Sequence, residues 1–333
     1  MYTNRTLKLQ HVLPRHYIQL LIHFTPMTVA YVLYVVLGYK EAIIPLLPIG
    51  VIGTAVAFYV GFKNNSSYDR LWEARRLWGS ITNASRVWAA MVLDLAGNNG
   101  NEEVRAMARH MVMRHIGWCN ALRMQLRRNK VWSEKYYQSY ISSTQYKSGQ
   151  DYGTMMQETL DKFCGAGERE YVISKLNPAT HLLHLQSRDI KHLKQQGVID
   201  NIEHANLTNV ITDLYNQQGG CERIKNYPFP RQYAVFSRVF VDIFIVLLPF
   251  GLIAEITRHT PNAQWLLFPV CFIVNWVFNA MEAVGDLSEN PFENALTDIP
   301  MSSICRNIEI DLREMMDDKE VPERLVPVDG VLM

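Results

Sequence analysis

Three side chains open the chemical argument. Thr54, Phe58 and Phe62 recur at i, i+4 and i+8, so on a helix they form one stripe. Small residues surround them: Gly50, Gly53, Ala55, Ala57 and Gly61. Glycine and alanine let helices approach closely in lipid. One reading is packing, with the two phenyl rings set against neighbouring helices or lipid. The other is that identical copies meet around an axis and turn the stripe toward it. A ring of apolar side chains then gates a pore by dewetting, and phenyl edges, which carry partial positive charge, tolerate a passing anion. Directly after the stripe the chain turns polar. Lys63, Asn64, Asp69 and Glu73, with Asn65, Ser66 and Ser67 between them, would line a wetted vestibule. Lys63 suits anions there, while Asp69 and Glu73 suit cations. Local charge decides, not net charge. Glu73 and Arg76 also have the i, i+3 spacing of a simple helix-stabilising pair.

Other constellations are weaker. His115 and Cys119 are i, i+4 with His110 nearby, and His181 and His184 form a similar pair, but neither set has a clear third ligand, so no metal is expected. There is no glycine-rich phosphate loop, nucleophile elbow or HExxH motif. No enzyme chemistry and no cofactor are therefore expected. Five scattered cysteines without a CxxC pair read as reduced thiols. With 33 basic and 32 acidic residues, no global field argues for nucleic acid.

The elements that must position the stripe are membrane spans. Residues 18–39 and 42–62 are two apolar blocks of bilayer length, and the second holds no charge at all. Residues 239–256 and 263–280 form a second pair, carrying Asp242, Glu255, Asn275 and Asn279. Polar groups at that depth face protein or water rather than lipid. Pro249 and Pro269 would kink their helices unless the freed carbonyls find partners. Two core helices of a soluble bundle are the weaker reading of such uncharged spans. Between the pairs lies a mostly helical region. One long helix over 70–95 is stopped by Gly97, Asn98, Asn99 and Gly100, a second covers 102–128, a loop covers 138–156, and 182–209 is again helical. A last helix covers 302–316.

Basic residues set the orientation. Arg5, Lys8 and Arg15 precede the first span, Lys63, Arg70, Arg75 and Arg76 follow the second, and Arg223, Lys225, Arg231 and Arg238 precede the third. The hairpin loops hold only Lys40 and Arg258. By the positive-inside rule both termini and the large middle are cytoplasmic. The expectation is an all-α, multi-pass membrane protein with four transmembrane helices per subunit and a large helical cytoplasmic region, assembling around a central pore. Its expected segments are 1–62 (first hairpin), 63–238 (helical region), 239–281 (second hairpin) and 282–333 (C-terminal helix and tail).

At this point four stretches resemble one known family. GFKNNSSYDRLWEARRLWGSITNASR (residues 61–86) is similar to the signature of the bestrophins in their bacterial form. YPFPRQYAVFSRVF (227–240) with LLPFGL (247–252), GDLSENPFEN (285–294) and DIPMSSICRNIEIDL (298–312) agree in order and spacing. The resemblance implies a homopentameric ion channel of the bacterial inner membrane, whose second spans form a narrow hydrophobic neck. Matched by motif, that neck falls on Thr54, Phe58 and Phe62. Thr54 departs from the bulky apolar residue usual in the family, and its hydroxyl would lower the dewetting barrier. The family's cytoplasmic exit constriction follows an Asn/Asp-Pro step, here Asn177-Pro178, which implies Leu182 as the exit ring. Animal members are calcium-activated chloride channels, whereas bacterial members can favour cations. The animal calcium clasp needs an acidic cluster after Asn-Pro-Phe. Here only Glu293 and Asp298 follow that step, so calcium gating of the animal type is not expected. Expected partners are therefore further copies of the chain, membrane lipid and small monovalent ions: chloride, sodium or potassium. A secondary transporter and a non-conducting membrane scaffold or sensor are the alternatives. Ion selectivity, gating stimulus and physiological role are not legible from the residues.

Overall fold

The computed structural model describes residues 1, 3, 17–41, 43–98, 101–128, 152–295 and 297–332, with backbone only for 17–23 and 96–98. Ten α-helices follow one another among them: α1 (Tyr17–Tyr31), α2 (Leu46–Asn98), α3 (Glu102–Arg127), α4 (Tyr152–Leu160), α5 (Ala166–Ile173), α6 (Pro178–Gln195), α7 (Asn201–Asn226), α8 (Arg231–His259), α9 (Leu267–Glu289) and α10 (Met301–Met315). A π-helical turn, Val32–Val36, extends α1. Most of the loop expected over 138–156 lies outside the described residues, and its last part, from Tyr152, is helical. The expected stop at Gly97–Gly100 coincides with the end of α2.

Among the described residues, three helices are long and apolar enough to cross a membrane: those containing Leu46–Leu95, Arg231–His259 and Gln264–Glu289. A shorter apolar helical stretch covers Phe24–Val36. The prolines break none of these helices. Pro48 and Pro269 lie in the first turns of α2 and α9, where a backbone N–H has no intrahelical partner to lose. Pro249 sits inside α8, which runs through it.

Two compact units emerge. The apolar unit comprises Asn4–Arg70 and Pro228–Glu289. In it α8 packs on α1 and α9, and α9 packs on α1. Aromatic side chains fill these contacts: Phe244 and Phe278 lie 4.6 Å apart between ring centroids, and Tyr31 and Phe268 5.4 Å. Gly53 matters for a steric reason. A Cβ there would meet the Phe244 ring at 2.8 Å, so only glycine admits that ring against α2. This unit reaches further along the chain than the hydrophobic blocks at 42–62 and 239–280, because the polar ends of α2, α8 and α9 pack on one another.

The second unit comprises Met1–Thr3, Leu71–Tyr227 and Asn290–Met333. Its core holds the buried indoles Trp78, Trp88 and Trp118, with α3 packed on α6 and α10 and α6 on α7. Local sequence sets the helix starts. Asn101 caps α3, Asp200 and Glu203 form a capping box on α7, and Asn177 caps α6 with Pro178 as its first residue. The Asn177 side chain also receives Gln125 at 2.9 Å and donates to Glu222 at 2.8 Å, so one cap ties α3, α6 and α7 together. Arg114 is buried deep in this unit between Glu168 and Asp189. Burial opposes ionisation of Glu168, but hydrogen bonds from His110 and Arg114 prevail and hold its carboxyl down at about 2.

Candidate functional site

The candidate site is a face of α2. Over residues 53–67 the helix has two distinct sides. Gly53, Val56, Val60, Lys63 and Ser67 are buried, at spacings of three and four. Val51, Thr54, Ala55, Phe58 and Phe62 are exposed on the other side, and the same ridge continues through Asn65, Asp69 and Trp72. Phe58 is 79 % exposed and Phe62 52 %. The Phe62 ring leans toward Tyr233 of α8, 6.1 Å between centroids. The hydroxyl of Thr54 donates to the Gly50 carbonyl at 3.0 Å. Its hydrogen is thus tied back into the helix, and the ridge receives a methyl group and lone pairs rather than a free donor.

The polar step after the ridge divides in a way the sequence did not foretell. Lys63, expected at a vestibule wall, is only 1 % exposed. Its ammonium donates to Glu282 Oε1 at 2.6 Å and to the carboxylate of Asp286, both on α9. Ser237 of α8 donates to the other oxygen of Glu282 at 2.5 Å. Burying the ammonium demands this: an uncompensated charge in the interior is far costlier than a paired one. Asn64 turns the same way and donates to the Met281 carbonyl at 2.9 Å. Further along α9, Glu289 lies 3.6 Å from Arg231, and its carbonyl accepts from Arg70 at 3.0 Å. Asp69 remains exposed. Glu73 pairs with Arg223 of α7 rather than with Arg76. Of the four vestibule candidates, Asp69 alone lies on the exposed ridge. Glu282 and Asp286 went unnoticed in the sequence. Their signal was a run of carboxylates at 282, 286 and 289, one helix face, ending an otherwise apolar helix.

Leu182 requires a correction. It is fully buried (0 % exposed) in the core of the second unit, with Leu183, Gln186, Ile190 and Leu193 on the same side of α6. The Asn177 cap fixes the register of α6 and turns Leu182 inward, so it cannot line an exit. The exposed apolar side chains near these helix starts are Leu176, just before the Asn-Pro step, and Ile202, in the first turn of α7.

The loop after α9 uses its two carboxylates internally. Glu293 accepts from Lys225 at 2.6 Å. Asp298 is buried and accepts the Ala295 amide at 3.0 Å. Burial raises its pKa to about 7, against the Ala295 hydrogen bond and with help from the Glu293 charge. His115 meets Ser85 at 2.8 Å and is held neutral by burial, which lowers its pKa to about 3, while His110 serves Glu168. All five cysteines are free thiols.

Known proteins resemble this chain over most of its length. The family model described as bacterial/fungal bestrophin protein matches residues 6–314. A protein named voltage-dependent anion channel-forming protein YneE, from Salmonella typhi, is 29 % identical over 295 residues, 88 % of this chain and 83 % of that protein. A voltage-dependent anion channel-forming protein of Ralstonia nicotianae is 30 % identical over 273 residues, 81 % of this chain and 77 % of its own length. The crystal structure of a bacterial bestrophin homologue from Klebsiella pneumoniae superposes with a TM-score of 0.75 at 22 % identity, covering 91 % of this chain and 99 % of that one. The shared helical fold, the apolar spans and the match over residues 6–314 converge: this chain is a membrane protein and belongs to the bacterial/fungal bestrophin family.

Proposed function

We propose that this chain is the subunit of a homopentameric ion channel of the inner membrane, passing small monovalent ions down their gradient through a neck lined by α2. One observation carries the reading: the Thr54, Phe58 and Phe62 face is uncovered within the subunit, while the opposite face of the same helix is buried. A stripe that faced lipid would end where the lipid ends. This ridge passes without a break from phenyl rings to Asn65 and Asp69, as the wall of a pore running from membrane to water must. The positive-inside rule supports cytoplasmic termini and a cytoplasmic helical unit, with α1 completing four spans. Chloride, sodium and potassium are the candidate ions. The relatives are named for anions, whereas Asp69 is the first ionisable group on the ridge beyond Phe62. An apolar exit ring, if the subunit supplies one, would come from Leu176 or Ile202.

The test is the purified protein, sized in detergent and recorded in planar bilayers under a KCl gradient, wild type beside Phe62→Ala. A pentamer with unitary currents that the substitution alters supports the neck, and the reversal potential gives the ion sign. A silent pentamer supports the scaffold reading, and saturable coupled flux the transporter.

A further inference from the structure

We propose that Asp286, set against Lys63, biases the pore toward cations; this rests on the channel reading above. The observation is an imbalance of charge at one place. Lys63 Nζ and Glu282 Oε1 are 2.6 Å apart and both side chains are fully buried, so that pair is electrically closed. Ser237 satisfies the second oxygen of Glu282. Asp286 binds the same ammonium from the next turn of α9, yet 32 % of its side chain remains exposed. One cation thus faces two carboxylates, and the surplus negative charge rests on the one that meets solvent.

Two neighbouring carboxylates hold cations of their own. Glu289 is 3.6 Å from Arg231, and Asp242 is 3.3 Å from Arg238. Over residues 58–70, 231–242 and 281–289 the apolar unit sets four cations against five carboxylates. The cluster also lies close behind the neck stripe. Lys63 follows Phe62 directly, Asn64 is held on the Met281 carbonyl, and Gly285, where a Cβ would collide with the Asn64 amide, lets α9 approach α2. A charge behind one helix wall, about 10 Å thick, is within roughly one Debye length at 0.1 M salt. In a symmetric ring every copy repeats it. The charge acts as a fixed field and needs no contact with the ion.

Variants of the purified channel under a KCl gradient test this, because electrostatics predicts a sign for each. Asp286→Asn and Glu282→Gln each remove a negative charge and move the reversal potential toward the chloride equilibrium potential. Asp286→Asn is expected to lower the potassium-to-chloride permeability ratio. Lys63→Met moves it the opposite way, and Asp286→Glu keeps the wild-type value. A merely structural cluster would shift Asp286→Asn and Lys63→Met in the same direction; that result, or no shift with Asp286→Asn, overturns the inference. Should Lys63→Met fail to assemble with Glu282 left uncompensated, Asp286→Asn against Asp286→Glu decides. Wild-type silence would instead remove the channel reading itself. Currents that respond to Phe62→Ala but not to Asp286→Asn remove only the inference.

Discussion

Thr54 shows how little residue type alone reveals. A hydroxyl in an apolar ring reads as a leak, but here it is bound to the Gly50 carbonyl. In the proposed neck, Thr54→Val should therefore change unitary conductance by less than about twofold, while Phe62→Ala, which removes a ring from that neck, should raise it clearly; single-channel recording compares the two. Asp298 carries a different prediction. Its pKa is raised to about 7 in the folded protein from an ordinary value of 3.8. The folded state then holds a proton between roughly pH 4 and 7 that the unfolded state has released, so its penalty grows as pH rises through that window and is complete above it. Asp298→Asn is expected to raise thermal stability at pH 8 and to have little effect at pH 4. Thermal unfolding in detergent at the two values checks this, and equal shifts at both would remove burial of the charge as the cause.

Among the elements, α2 is the most informative. It has 53 residues, a contour of about 80 Å at the usual rise, where a hydrocarbon core needs about 20 residues. No proline follows Pro48 within it, and its polar step is stabilised from α9 rather than by a break. An apolar helix can therefore run straight into charged sequence. The helix α6 makes the opposite point. Its cap at Asn177 assigns Leu182 to the core, so Leu182→Ala should cost about 2–5 kcal/mol of stability through a cavity. It should also leave conductance and reversal potential unaltered in the molecules that fold. A changed conductance in well-folded Leu182→Ala protein would restore the residue to the pore.

For the whole molecule, the prediction is stoichiometry. The α2 ridge, with Val51, Phe58 and Phe62 exposed, is a large apolar surface for one helix to leave open. Native mass measurement in detergent should give five copies of the 38.4 kDa chain. A monomer that remains monodisperse would argue that lipid alone covers the ridge.

Sequence by itself determined the class of the molecule. Apolar runs of bilayer length mark a membrane protein, and helical periodicity picks out Thr54, Phe58 and Phe62 before any coordinates exist. These are local or additive properties: length, hydropathy and spacing along one helix. The tertiary structure alone decided which polar groups meet solvent. Lys63 and Asp69 are six residues apart on one helix and looked equivalent. The partners that bury Lys63, Glu282 and Asp286, lie more than two hundred residues further along the chain. Charge compensation is a long-range pairing, and no periodicity within α2 encodes the helix that will face it. The same holds for Leu182: Asn177 of the Asn-Pro step is legible as a turn, but its ties to α3 and α7, which no local spacing encodes, go with the inward direction of Leu182.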